Sequence, residues 1–550
     1  MPSFHRLLLS LLLVLFLPPL GAGAEERRIC PVPAPEVMVA EGATIGHVAV
    51  AIGDVFDPNK EGENRRLYRL VNRLHYNTRP SVVENLLLFR TGDRYDPRLL
   101  AESERLLRAQ RYFYDATVVP VSYCDGVVDV AVEARDVWTL FISASYTRSG
   151  GKSRTEFELQ DANFLGTGKD IAIANRSDVD RSGWVAWYRD KNLLGSRARL
   201  ELWYGDNDDG SFQVFDVNRP FYSLDSRWAG GLRIRTDDRF DRFYRLGKIT
   251  DRFRHEQDFI EGFYGYSPGL RNRRSLRLFV GATYLDDIFS KAAEGEPVFR
   301  VPDSRKLVYP WVGFEWVEDD FRTTHNLDQI SRTEDVYFGL RVTGRAGWSA
   351  ESLGADEDLG IFSFTAENGG EFGEKAIGFI TGSASWRWNW ESGEAENLIV
   401  DAQARYYRKT FGRHVFVATA WGTWSDNLDF DRQILLGGDN GLRGYPLRYQ
   451  SGSRRFLISL EQRFYTDWHV LKLVHVGGAV FADVGRAWYP DDPSRNPGAD
   501  EVLRDIGVGL RLGSSRSGRG TLVHFDIAFP FDGDPSIDDI QWLVTTKESF

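Results

Sequence analysis

The sequence predicts a mainly β chain, in which a small αβ domain precedes a transmembrane antiparallel β-barrel. Three features of its 550 residues lead there. Met1 to Ala24 reads as an export signal. From Val137 to Phe550, apolar and polar residues alternate with a period of two almost throughout. Aromatics are abundant, at 36 Phe, 22 Tyr and 16 Trp, and they cluster near the ends of the alternating segments.

The export signal is built from His5 and Arg6, an apolar run from Leu7 to Leu17, Pro18-Pro19, and Ala22-Gly23-Ala24 in small-x-small order. The apolar run is too short to span a bilayer. No later stretch is long and apolar enough for a membrane helix, so any membrane crossing falls to strands. The charge balance, 68 basic against 79 acidic residues, argues against a nucleic-acid partner. Cys30 and Cys124 are the only thiols. In an oxidising compartment they could bridge, or they could be two buried free thiols; their spacing decides neither.

Residues 25–44, punctuated by Pro31, Pro33 and Pro35, read as a linker. Residues 45–136 read as the small domain. His47 to Ile52 alternates as a strand, and Leu67, Leu70, Val71 and Leu74 recur at helical spacing. Val82 to Phe89 is a second short helical stretch. Asp96-Pro97 is an N-cap with proline at the first helical position; Leu99, Leu100, Ser103, Leu106 and Leu107 form one face of the helix that follows. Ala116–Tyr123 and Val127–Glu133 then make a hairpin through Cys124-Asp125-Gly126.

Residues 137–550 read as the barrel. In Glu156-Phe157-Glu158-Leu159-Gln160 the polar face is charged, as suits a lumen, and the apolar face suits lipid. Trp184, Trp187 and Tyr188, then Trp386, Trp388 and Trp390, then Trp421 and Trp424 read as belts at the bilayer interfaces. Ile540, Trp542, Val544 and Thr546 share one face of the last segment, which Phe550 ends. About five strands follow residue 450, and an odd number returning to the N-terminal domain's side puts the loop before them on the opposite, extracellular side.

That loop, Leu435 to Pro446, is dense in glycine yet carries Arg443. Downstream, Asp483 lies opposite Ala482 and Val484 on its strand and therefore faces the lumen. Glu461 and Arg463 share one face of the preceding strand. An inward-folded arginine could hold such a carboxylate bidentately, which guanidinium geometry provides. As bare physics, though, an arginine in a glycine-rich turn is usually solvated.

Two sets of motifs resemble a known family. Leu87 to Tyr95 followed by Leu106 to Ala116 looks like a POTRA domain. Leu442-Arg443-Gly444-Tyr445 resembles the arginine-glycine-aromatic loop motif of the BamA/TamA-type outer-membrane assembly superfamily. Phe481, Asp483 and Gly485 match its phenylalanine-x-aspartate-x-glycine strand motif, and Glu461-Gln462-Arg463 lies where the strand between carries a charged motif. The terminal strand, with Trp542, Val544 and Phe550, resembles the insertion signal of such barrels, and Glu548 departs from it.

The resemblance implies sixteen strands, or up to twenty if every short early segment is a strand. It also implies that Arg443 locks the loop in the lumen against Asp483 and Glu461. The implied activity is insertion of proteins into the bacterial outer membrane, or their translocation across it, without cofactor or nucleotide. Unfolded client chains would add to the periplasmic POTRA sheet edge. The barrel would open between strands near Trp138–Tyr146 and Ile540–Phe550. Outer-membrane lipid and a periplasmic or lipoprotein partner at the POTRA domain are the other implied contacts. Only one POTRA domain is found, where relatives carry several.

An outer-membrane channel, or a structural barrel that docks a periplasmic partner, is the alternative. Enzyme readings fail, since there is no Gly-x-Ser-x-Gly and no His-Glu-x-x-His. Gly166-Thr167-Gly168-Lys169 reads as a hairpin turn, and nine scattered His with two Cys offer no metal-ligand spacing.

Overall fold

The computed structural model describes residues 30–292, 300–330, 332–438, 440–490, 501–517, 522–532, 535 and 537–547. The export signal and Phe550 lie outside them.

The small domain comprises helix α1 (Pro35–Ala40), strand β1 (Thr44–Gly53), helices α2 (Arg66–Leu74), α3 (Pro80–Glu84) and α4 (Pro97–Arg108), and strands β2 (Phe113–Cys124) and β3 (Val127–Asp136). Its sheet runs β1-β3-β2, with β1 parallel to β3 and β2 antiparallel to it. The turn between β2 and β3 places Asp125 and Gly126 at positive φ, 50° and 79°, which explains glycine there. The Asp96 carboxylate caps α4 by accepting from Arg98 N at 2.9 Å. Leu100 and Leu107 of α4 pack on Ile45, Val128, Val130 and Val132 of the sheet.

Three expectations for this domain are corrected. Residues 25–44 are more than a linker, because α1 inserts Met38 into the core. The stretch Val82–Phe89 stays helical only to Glu84, where Asn85 caps it; Leu88 N is taken by Ser103 Oγ at 2.9 Å instead of a helical carbonyl. On α2 it is Tyr68 that is buried, while Leu67, Leu70 and Leu74 are exposed. Cys30 and Cys124 form a disulfide that ties the chain ahead of α1 to the β2–β3 turn.

The remainder closes into a twenty-strand antiparallel barrel, not one of sixteen. The difference lies in the early segments. Six strands between Leu140 and Arg219, each of 9 to 12 residues, pair in continuous ladders through tight turns. The even number returns the last strand, Gln541–Lys547, to the end where the small domain sits. This is called the near end below, and the other the far end.

Burial in the wall is inverted relative to a soluble sheet. On Arg274–Lys291, Leu276, Leu278 and Val280 point outward, while Ser275, Arg277, Thr283 and Asp287 are buried inside. On Leu503–Ser514, Ile506, Val508 and Leu510 point out, with Asp505 and Arg511 inside. An apolar outer band around a polar interior, with every wall strand paired, is what a lipid environment demands. No helix among the described residues is long and apolar enough to cross a membrane. The aromatic belts are thinner than expected: Trp184 and Trp390 face out, whereas Trp187 and Trp421 face in, donating to Asp170 and Asp401 at 3.0 and 2.7 Å.

The small domain rests on the near-end turns. Arg516 donates to Glu63 at 2.6 Å and to Val55 O at 3.1 Å, and Arg108 forks onto Asp335 at 2.6 and 2.9 Å. Closing a 94-residue separation, the disulfide removes much denatured-chain freedom. Replacing Cys30 and Cys124 together by Ser is therefore expected to lower this domain's stability by about 2–4 kcal/mol, read from the urea midpoint of protease protection at residues 30–136. An unchanged midpoint would reduce the bridge to a bystander.

Candidate lumenal lock

The loop between strands Val415–Asp426 and Arg454–Val470 folds inward from the far end, stiffened by a short ladder pairing Ile434–Leu436 with Gln450–Gly452. It delivers Arg443 to the wall. The antiparallel register sets Ser459 opposite Asp483 and Glu461 opposite Phe481, so all four side chains share one inward patch. Arg443 forks onto Asp483, Nε to Oδ2 at 2.7 Å and Nη2 to Oδ1 at 2.9 Å. Its Nη1 donates to Glu461 Oε2 at 2.9 Å and its Nη2 to Ser459 Oγ at 3.2 Å. The guanidinium lies 3.4 Å from the Phe481 ring centre, a cation–π arrangement away from water. Asp483 is fully buried, so its charge depends on this partner.

The neighbouring motif residues make the approach possible. Leu442 is buried with Leu436, Leu457, Ala487 and Leu503. Gly444 N donates to Asp505 Oδ2 at 3.0 Å, and a Cβ at Gly444 would lie 2.6 Å from Asp505 Cβ. Tyr445 Oη donates to Arg504 O at 2.8 Å and accepts from Arg504 N at 3.1 Å. At Gly485 a Cβ would meet Phe456 O at 2.8 Å and Leu436 of the loop at 3.1 Å, so glycine is the space through which loop and wall touch. Arg463 does not touch Arg443; it donates to the other Glu461 oxygen at 2.9 Å.

The structure adds members that the sequence reading did not single out. Arg511 pairs with Asp526 and lies 3.5 Å from Glu461, and Asp526 is 4.0 Å from Arg443. Three arginines thus alternate with Glu461, Asp483, Asp505 and Asp526. Asp505, Arg511 and Asp526 sit at period-two positions facing inward, a signal that was readable. Elsewhere in the lumen, Arg448 of the loop forks onto Asp180 at 2.7 and 2.5 Å, and Arg387 forks onto Asp429 at 2.8 and 2.6 Å. These pairs join distant turns and left no local pattern.

The near mouth is also occupied. A hairpin of Phe321–His325 and Thr333–Tyr337 carries Leu327 and Ile330 in among Tyr407, Val415 and Tyr465 of the inner wall. Arg463 Nη1 donates to Leu327 O at 2.6 Å, and Tyr407 Oη to Asp328 at 3.0 Å. Through Asp335 and Arg108 the same hairpin reaches the small domain, so contacts run unbroken from it to Arg443.

At the closing seam, the first strand (Leu140–Ser149) and the last register at one described residue pair, Arg148 with Val544, supported by Arg148 over the Trp542 ring at 4.7 Å. The last strand's other side pairs continuously with Leu522–Ala528. A cavity of about 740 Å³ beside Arg443 is lined by Ser145 and Thr147 of the first strand and Leu543 and Thr545 of the last. Among the described residues no group of His, Cys, Asp and Glu is placed to hold a metal ion.

An inverted-burial barrel whose far-end loop is pinned inside by an arginine defines an outer-membrane-type β-barrel. Residues 361–544 match the Omp85 superfamily domain, in agreement with the BamA/TamA-type resemblance. Among solved structures, it is similar to BamA from Haemophilus ducreyi lacking POTRA domains 1–3, at 13% identity over 92% of this chain and 85% of that one, with a TM-score of 0.40. CdiB from Acinetobacter baumannii is 9% identical over 92% and 73%, and CdiB from Escherichia coli 14% over 91% and 76%, each with a TM-score of 0.43. No curated protein sequence matches the chain.

Arg443→Ala strands the buried Asp483 charge and removes one partner of Glu461, and is expected to destabilise the locked loop by about 3–5 kcal/mol. Arg443→Lys keeps the charge without the fork and should fall between alanine and the parent. Protease nicking within residues 432–448 of the detergent-solubilised barrel reads the effect. Equal resistance of all three proteins would show that the cluster does not hold the loop.

Proposed function

We propose that this chain is a cofactor-free, non-enzymatic outer-membrane protein that inserts other proteins into the bacterial outer membrane or passes them across it. The Omp85 superfamily domain and the barrel support the coarse part of this reading. The finer part assigns the small domain as a periplasmic POTRA domain. Unfolded client chains add to an edge of its sheet, formed by β1 on one side and β2 on the other. A periplasmic or lipoprotein partner and outer-membrane lipid complete its contacts.

The seam carries the proposal. Elsewhere neighbouring full-length wall strands pair over at least seven residues, whereas first and last strands register at Arg148 and Val544 alone among the described residues. Parting there exposes two strand edges and leaves the Arg443 lock whole, so a client strand can be templated without dismantling the barrel. The alternative, a channel that docks a partner, draws on a second lumenal cavity of about 890 Å³ lined by Arg239, Arg305, Arg345 and Arg387.

An Arg148→Cys, Val544→Cys pair, oxidised across the seam, separates the two. Assembly of an unfolded outer-membrane barrel into proteoliposomes should stop and return on reduction, with the parent protein showing the reductant's own effect. Single-channel conductance should be unaffected. Undiminished assembly with the seam crosslinked would sink the insertion mechanism.

A further inference from the structure

Helix α2 presents an apolar face with no protein partner among the described residues. Leu67, Leu70 and Leu74 recur at three- and four-residue spacing and are 63, 49 and 62% exposed. Leaving such a stripe in water is unfavourable. The helix cannot roll to hide it. Asn72 fixes its other side, accepting from Phe56 N at 3.1 Å and donating to Phe56 O at 2.7 Å. Tyr68 stacks on Phe56 and donates to Leu471 O at 2.5 Å.

The charge of the segment is equally uneven. From Asn64 to His75 there are four arginines, Arg65, Arg66, Arg69 and Arg73, and no acidic residue, in a chain of net charge −11. Arg66 and Arg73 enter no ion pair among the described residues. Leucines on one stripe and arginines on the next make a helix suited to a membrane surface with anionic headgroups. Its position agrees. Leu471 belongs to the turn that ends strand Arg454–Val470 at the near end, and it exposes its own side chain, as do Trp468 and Val470 beside it. Tyr68 thus fixes α2 beside the near-end turn that carries these outward apolar side chains.

We infer that α2 is a membrane-surface anchor: Leu67, Leu70 and Leu74 sit among the acyl chains of the leaflet nearest the small domain, with the arginines on phospholipid phosphates. This holds the small domain close under the barrel rim. The inference rests on reading the outward apolar wall as lipid-facing.

The test is a fluorophore on a single added cysteine, under non-reducing conditions that keep Cys30–Cys124 closed, in the full chain reconstituted into phosphatidylethanolamine–phosphatidylglycerol vesicles. Leu70→Cys is compared with Val280→Cys on the outer wall. Brominated phospholipids should quench both labels to a comparable extent. Quenching at position 280 with none at 70 overturns the anchor, including the case in which a periplasmic protein covers the stripe. Absence of quenching at both overturns the lipid-facing reading of the wall as well.

Discussion

The arrangement of the lumen depends on one buried guanidinium. Arg443 is carried on a backbone with little shape of its own, and it makes four hydrogen bonds to Asp483, Glu461 and Ser459 at distances of 2.7 to 3.2 Å. Neither side is stable alone: the loop would be solvated, and the wall would hold Asp483 without counter-charge. Together they turn a flexible connection into a fixed strut. The glycines around Arg443 and at Gly485 matter because they remove Cβ atoms where loop and wall meet, so the charge can reach its partner.

The barrel places apolar side chains outside and charged ones inside, and this inversion explains how so many arginines are accommodated. Inside the wall, each strand offers a polar position every second residue, and neighbouring strands bring opposite charges side by side, as with Arg277 and Glu315 or Arg511 and Asp526. The same alternation leaves Leu276, Leu278 and Val280 facing outward. The apolar and charged residues that alternate along the sequence are thus divided between two surfaces of one sheet.

Most of the lock was legible in the sequence because period-two alternation assigns faces. Asp483 lies between Ala482 and Val484, and Glu461 lies two residues from Arg463, so their lumenal orientation follows from spacing alone. That Arg443 meets them came from family resemblance, since a turn arginine carries no sign of direction. The strand number was harder to read. Segments such as Lys152–Asp161 alternate over few residues and turn tightly, so strand and loop look alike until the ladder is closed. For α2, helical spacing revealed the leucine stripe but not the medium it faces. Tyr68 and Asn72, which decide that, act through residues distant in sequence.

The two mouths of the barrel are stopped by different pieces of chain. At the far mouth the stop is the loop carrying Arg443, and at the near mouth the hairpin carrying Leu327 and Ile330. Glu461 accepts from both Arg443 and Arg463, so one carboxylate serves both stops. A polymer threading the bore would have to break charged pairs at each end in turn, and loosening the first would weaken the second. The bore therefore behaves as a high-barrier route, a kinetic property set by where a single glutamate is shared.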